Sequence, residues 1–373
     1  MTDLPAEHEA IDASTVELPP EEASTFEGTD SSEPVPPVDI IAYNEVRSCA
    51  DLYRLFSSGR MEIQPDFQRD VVWKREERTR FIDSLVKQLP IPSMCFSLDP
   101  KTQRWKVIDG LQRMTSITDF LGKTEWQLSS LDDIHPILRG NTNTALKMGP
   151  EDHSILYSSV ENVTIPVTVI RCDYTKREHM RYLFTIFHRL NSGGVRLNNQ
   201  EIRNCIYTGA FNDALKDFDN KHADWQVVKA RIWGSVNRFR SVEILLRILA
   251  FSERLESYEG NLADFLNHYM HDHAEASPEI VAEKIAKLKK AATITRTTLE
   301  DQSGKLSLAI IEAVLVASVE HSLALSTISK ETLNTKYYAM LSMPAFAEGA
   351  RYAVSSVENV QRRLTEATEA FGR

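Results

Sequence analysis

Asp109, Gly110, Gln112 and Arg113 stand together between two apolar runs, in "KVIDGLQRMTSITDFLG". Val107 and Ile108 read as the end of a short buried strand. Met114, Ile117, Phe120 and Leu121 recur at helical spacing until Gly122. Arg113 therefore falls in the first turn of a helix, where the helix dipole disfavours a cation. A bound anion removes that misfit, because first-turn N–H groups and an arginine fork are donors that suit one phosphate. Gln112 would orient an oxygen or a water. Asp109, at a strand end, would hold a magnesium-bound water or act as a base. A purely local account also exists. Asp109 would cap the helix, Gln112 would close a capping box, Gly110 would permit the turn, and Arg113 would pair with Asp109 or face solvent.

A second Gln-Arg pair, Gln68 and Arg69, sits in "IQPDFQRD", in a loop directly after a short apolar strand. Two such pairs at strand exits could converge on one polyanionic ligand, and the alternative for Arg69 is a pair with Asp70. Trp73 reads as core rather than as a platform for a stacked base. Asn191 and the Gly193-Gly194 pair suit a helix end that needs left-handed geometry, and Glu201, Arg203 and Asn204 open the next helix. His268, His271, Asp272 and His273 have spacing that could take a transition metal. No further Cys or His pair completes a tetrahedral set, so a polar helix end is the reading. The basic stretch "WKREERTR" is mixed with glutamates and reads as a solvated face, with contact to a DNA backbone as its alternative. No P-loop, HExxH or Ser-His-Asp arrangement occurs.

Several elements must position these residues. Ser48 and Asp51 open a short helix with Leu52, Leu55 and Phe56 inward, ended by Gly59. "REERTRFIDSLVKQLPIP" is an amphipathic helix with Phe81, Ile82, Leu85, Val86 and Leu89 on its apolar face. "SMCFSL" and "RWKVI" flank a turn at 99–103 and suggest a hairpin. Residues 123–162 read as an irregular stretch with apolar anchors, of the kind used as a lid or partner surface. "VTIPVTVI" is the strongest strand in the chain. A helix runs from about Lys176 to Leu190, and Asn198 with Glu201 starts another. From Asp213 the pattern is helical throughout. The fold class is therefore α+β: residues 40–212 form a mixed α/β domain and residues 213–373 an all-helical one.

The chain has 373 residues and a formal net charge of −10. Residues 1–39 hold eleven of the 53 acidic residues and no Lys or Arg, which leaves a nearly neutral body. That acidic, Pro- and Ser-rich segment buries too little to offset its chain entropy and reads as a disordered tail. Its alternative role is to occupy a basic groove in competition with nucleic acid. Cys49, Cys95, Cys172 and Cys205 lack metal-ligand spacing and read as reduced, buried thiols. Without a signal region or an apolar stretch of membrane length, the expectation is a cytoplasmic protein that does not enter a membrane.

Four ordered blocks carry a family likeness: "IQPDFQRDVVWKREERTRFIDSL", "PIPSMCF", "VIDGLQRMTSITDFL" and "IFHRLNSGGVRLNNQEIRNCIYTGAFNDAL". Together they resemble the N-terminal domain of GmrSD-type, modification-dependent restriction systems, marked by an Asp-Gly-Gln-Gln-Arg motif. Asp109, Gly110, Gln112 and Arg113 match that motif, and Leu111 replaces its first glutamine. The likeness covers about residues 45–273, including "RSVEILLRILAF" and "LADFLNHYM". It implies a ParB/sulfiredoxin-like fold that binds, and often hydrolyses, a nucleotide triphosphate at the motif. In the family this is coupled to cutting foreign, often modified, DNA, usually in phage defence. The implied roles are Asp109, Gln112 and Arg113 in catalysis, with Asp109 the candidate Mg2+ residue. Gln68, Arg69, Gly110, Arg113, Asn191 and Arg203 would bind the nucleotide phosphates. Leu111 leaves the phosphate-facing groups in place and bears on turnover more than on binding. The HNH-type His-x-x-Pro motif of longer relatives does not follow residue 280, where His321 stands alone, so cutting would fall to a separate nuclease subunit or to an unrecognised site. The alternatives are a non-catalytic regulator gated by nucleotide or DNA phosphate, and a self-sufficient DNA nickase.

Overall fold

The computed structural model describes residues 36–63, 73–190, 197–232, 239–302, 306–351 and 356–373. Two compact units divide them. One takes the described residues up to Leu197 together with Glu201–Ile206. The other takes Asn198–Gln200 and Tyr207–Arg373.

The first unit runs β1 (Ile41–Ser48), α1 (Cys49–Ser57), β2 (Met61–Glu62), α2 (Arg75–Val86), β3 (Met94–Leu98), β4 (Trp105–Asp109), α3 (Leu111–Leu121), α4 (Asn143–Met148), α5 (Glu151–Asn162), β5 (Thr164–Arg171) and α6 (Arg177–Leu190). A further helix, α7 (Asn199–Ile206), follows. The strands form one sheet in the order β1-β5-β3-β4-β2. β1 is antiparallel to β5, β5 parallel to β3, β3 antiparallel to β4, and β4 parallel to β2. Central β3, "MCFSL", is buried along its whole length, whereas β5 alternates and sends Ile165, Val167 and Val169 inward. These side chains, with Phe96 and Val107, meet Leu52, Ile82, Ile117, Phe120 and Val160 from α1, α2, α3 and α5. Each such fully buried aliphatic or aromatic side chain contributes about 1.5–3 kcal/mol.

The mixed sheet followed by helices is the α+β class read from the sequence. The hairpin at 99–103 is present: the Asp99 carboxylate accepts from the Lys101 N–H at 2.9 Å and the Thr102 hydroxyl at 2.8 Å, holding the turn between β3 and β4. Ser48 caps α1 through the Asp51 N–H at 3.1 Å. Other expectations differ. β1 has no counterpart in the sequence reading, because an edge strand leaves its alternate residues in solvent and "IAYNEVRS" carries little apolar signal. Phe56, expected inward, is 37% exposed because α1 buries a narrower stripe, and Leu89 is 49% exposed because α2 ends at Val86, before it.

Residues 123–162, expected to be irregular, hold α4, α5 and a 3-10 turn at Pro136–Leu138. Their periodicity is weak because α5 buries only Tyr157 and Val160, and α4 only Asn143 and Leu146. Hydrogen bonding replaces apolar burial here. The Asn143 amide donates to the carbonyls of Asp119 (3.2 Å), Phe120 (3.1 Å), Gly122 (3.4 Å) and Thr124 (3.2 Å), and its oxygen accepts from the Trp126 N–H at 2.9 Å. One buried side chain thus gathers the carbonyls at the end of α3, while Thr142 caps α4 through the Ala145 N–H at 3.1 Å.

The second unit continues with α8 (Ala210–Lys221), α9 (Ala223–Ala230), α10 (Arg240–Arg254), α11 (Leu262–His273), α12 (Pro278–Thr298), α13 (Leu308–Glu320), α14 (Ser322–Leu325), α15 (Lys330–Ser342), α16 (Pro344–Arg351) and α17 (Val357–Gly372). Apolar α13 is its centre, with Leu308 and Glu320 at its ends and the residues between them buried. Glu312 is buried with two arginines: Arg247 Nε lies 2.7 Å from Oε1, and Arg363 Nη2 lies 3.1 Å from Oε2. No helix among the described residues is long and apolar enough to cross a membrane.

Replacing Asn143 tests the hydrogen-bonded hub. Asn143→Ala leaves several buried backbone groups unpaired and should lower unfolding free energy by about 1–3 kcal/mol in urea titration. A loss below about 0.5 kcal/mol would show that water serves those groups equally well.

Candidate functional site

The motif begins where β4 ends. Gly110 has φ +94° and ψ 19°, the left-handed region, and forms the N-cap of α3. A Cβ built there would lie 2.6 Å from Met94 Cγ and 3.0 Å from its Sδ, and Met94 is fully buried in β3. Both the backbone angle and the close approach therefore require glycine. No side chain caps α3, so the capping box expected from Asp109 and Gln112 does not form. The capping position falls on Gly110, which has no side chain, so the first-turn N–H groups keep no side-chain acceptor from the capping residue.

Arg113 is already engaged. Its Nη2 donates to Asp109 Oδ2 at 2.9 Å and to the Ser93 carbonyl at 3.3 Å, and its Nη1 donates to the Pro92 carbonyl. The Arg113 side chain is only 13% exposed, while that of Asp109 is 42% exposed. Burial pushes the guanidinium below its ordinary value, and the Asp109 charge pulls it back. The arginine thus braces three acceptors, and the carboxylate it holds faces solvent. Asp109 Oδ1 takes no hydrogen bond among the described residues. Geometrically, Arg113 is a strut that fixes Asp109 against the chain entering β3.

Gln112 makes the long-range connection of the motif. Its Oε1 accepts from the Trp73 N–H at 3.3 Å, across 39 residues of sequence. Trp73 packs against Phe81 with ring centroids 5.6 Å apart, in keeping with a core role. Trp73 is therefore pinned at the start of α3. Gln68, Arg69 and Asn191 themselves lie outside the described residues. Arg203 is buried on α7, with its guanidinium 6.0 Å from the Phe184 ring centroid on α6. None of the Arg113 contacts above involves Arg203.

Lys106 was not singled out from the sequence, although it lies three residues before Asp109. It is 8% exposed, its ammonium donates to the Ile206 carbonyl at the end of α7, and it lies 5.0 Å from the Tyr174 ring centroid. The Tyr174 hydroxyl in turn shares a 2.6 Å hydrogen bond with Ser97. Burial pushes the Lys106 amine down to about 8, opposed mainly by the charge of Glu62. A lysine flanked by Trp105 and Val107 in a short strand was the available sequence signal, since such a residue needs a buried partner.

The remaining candidates are structural. All four cysteines are buried and unbridged, and burial alone pushes Cys49 up to about 12. His271 and Arg254 both pair with Asp272, His273 Nδ1 meets the Tyr269 carbonyl at 2.8 Å, and no metal-binding cluster of three His, Cys, Asp or Glu occurs among the described residues. A cleft of about 320 Å³ in the helical unit is lined by Lys289, Lys290, Thr293, Ile294 and Leu333 and contains no motif residue.

Residues 52–208 match the family model of the GmrSD restriction endonuclease, N-terminal domain. The matched stretch is similar to that domain, and it holds the whole Asp109–Arg113 motif with Gln68, Arg69, Asn191 and Arg203. No curated protein and no solved structure matches the chain.

The Lys106 environment predicts a pH effect with a definite sign. Between about 8, the folded value, and the ordinary 10.5, the unfolded chain binds more protons at this amine than the folded one. Stability from this group therefore rises with pH through that window. In denaturant titrations from pH 7 to pH 9.5, wild type should gain stability relative to Lys106→Met. A difference that stays flat would mean that the amine titrates normally.

Proposed function

We propose that this chain, carrying a GmrSD-type N-terminal domain, is the nucleotide-triphosphate-binding and hydrolysing component of a DNA restriction or phage-defence system. The observation that carries this reading is the exposed Asp109 carboxylate, braced by Arg113 beside an α3 start that no side chain caps. Phosphate oxygens would take the first-turn N–H groups.

Arg113 is a positioning residue in this scheme: it aims Asp109 and adds positive charge behind it. An unneutralised carboxylate would repel a triphosphate, so a divalent cation belongs between them. Asp109 Oδ1 is a hard oxygen donor of the type that magnesium takes, with substrate phosphates and water filling the remaining positions. Gln112 would orient the attacking water, and Asp109 would accept its proton or hold it through the cation. Gln68, Arg69, Asn191 and Arg203 are assigned to phosphate binding on the family likeness. The scheme places the protein in the cytoplasm, working on DNA with a separate nuclease subunit.

A regulator that binds nucleotide without turnover is the second reading. It is favoured by Leu111 at the family's first glutamine and by the engagement of Gln112 Oε1 with Trp73.

Thermal shift and phosphate release, measured with GTP, ATP and CTP plus Mg2+ and with or without DNA, separate these readings. Wild type should be stabilised by at least one triphosphate and release phosphate from it. Asp109→Asn should lower release by about tenfold or more. Arg113→Ala should lower release and also melt earlier, because it removes a structural brace. Stabilisation without release supports the regulator, and neither effect with any triphosphate overturns both.

A further inference from the structure

Beyond the phosphate end of the site, a row of polar groups crosses the sheet. The strand register aligns Asn44 of β1 with Thr168 of β5, Thr168 with Cys95 of β3, and Cys95 with Asp109 of β4. Directly paired residues of a regular ladder present their side chains on the same face, which holds for Asn44, Thr168 and Cys95; the register shifts between Cys95 and Phe96, so Asp109 is tied to the row by the contacts of Arg113. Contacts that run through Ser93 rather than Cys95 join Asp109 to Asn44. Arg113 holds Asp109 and the Ser93 carbonyl, Ser93 Oγ lies 3.5 Å from Thr168 Oγ1, and the Thr168 hydroxyl donates to Asn44 Oδ1 at 2.9 Å. Ser93 Oγ also reaches the Met94 carbonyl at 3.2 Å.

Resting on the nucleotide reading above, we infer that Asn44, oriented by Thr168, is the specificity residue that recognises the nucleoside end of the triphosphate bound at α3. Asn44 is exposed on an edge strand, and its amide oxygen is taken by Thr168. That bond fixes the amide plane and leaves both Nδ2 protons without an acceptor among the described residues. Such a group reads a lone pair on a ligand, either on the base edge or on the sugar. Three strand spacings separate Asn44 from Asp109, about 14 Å. An inorganic phosphate cannot bridge that span, whereas an extended nucleoside triphosphate can. The ground between is neutral: burial pushes the Cys95 thiol up to about 12, so no thiolate repels the ligand.

Titration calorimetry on the full chain tests this with nucleoside triphosphates of different base, their deoxy forms, and inorganic triphosphate. In wild type the preferred nucleotide should bind more tightly than inorganic triphosphate. Asn44→Ala and Thr168→Val should each weaken that nucleotide by about tenfold, the worth of one or two hydrogen bonds, and leave inorganic triphosphate unchanged. A difference between ribose and deoxyribose forms would put the recognised lone pair on the sugar, and a difference among bases would put it on the base. Unchanged nucleotide affinity in both variants, with Asp109→Asn still impaired, overturns the role of Asn44 and leaves the phosphate site standing. Equal losses for nucleotide and inorganic triphosphate overturn it as well. Absence of any nucleotide binding in wild type overturns both.

Discussion

The passage from β4 into α3 depends on a missing methyl group. Gly110 is the one residue between the last strand position and the first helical one, and it occupies a left-handed conformation against Met94. A side chain there would push into a fully buried residue of the central strand. Because β3 lies between β5 and β4, that displacement would pass to the sheet register that aligns Asn44, Thr168, Cys95 and Asp109. The packing of one buried methionine thus sets where an exposed carboxylate sits, and it does so through the backbone.

Charge placement follows from that bend. Arginine in the first turn of a helix is unfavourable on dipole grounds alone. The fold answers locally, with a carboxylate and two backbone carbonyls around the guanidinium. Arg113 is thus engaged within the chain, by Asp109 and by the carbonyls of Pro92 and Ser93. Lys106 shows the same economy on the neighbouring strand position: its ammonium sits at the C-terminal carbonyl of α7, where the helix dipole favours positive charge. Both cations of the motif strand and its helix serve as internal ties.

Legibility in the sequence followed burial. β5, the hairpin of β3 and β4, α2, α3 and the long helical region all carry strong apolar periodicity and were readable. β1 was not, because an edge strand with one solvated face loses half its signal. The segment holding α4 and α5 was not, because Asn143 organises it through backbone hydrogen bonds that no apolar pattern announces. Within the site, Asp109, Gly110, Gln112 and Arg113 were legible by residue type and by their place between a strand and a helix. Asn44 and Thr168 were not, since they lie 124 residues apart and are ordinary polar residues until the register pairs them.

The sequence by itself determined the α+β class, the family likeness of residues 52–208 and the motif's seat at the end of a strand, because these depend on local periodicity and residue identity. Tertiary structure decided what each group faces: Arg113 toward Asp109 and two carbonyls, Gln112 toward Trp73, Lys106 toward the end of α7. The physical reason is that hydrogen-bond partners are fixed by which strands and helices come together, and residues distant in the chain meet only after the sheet has set its register.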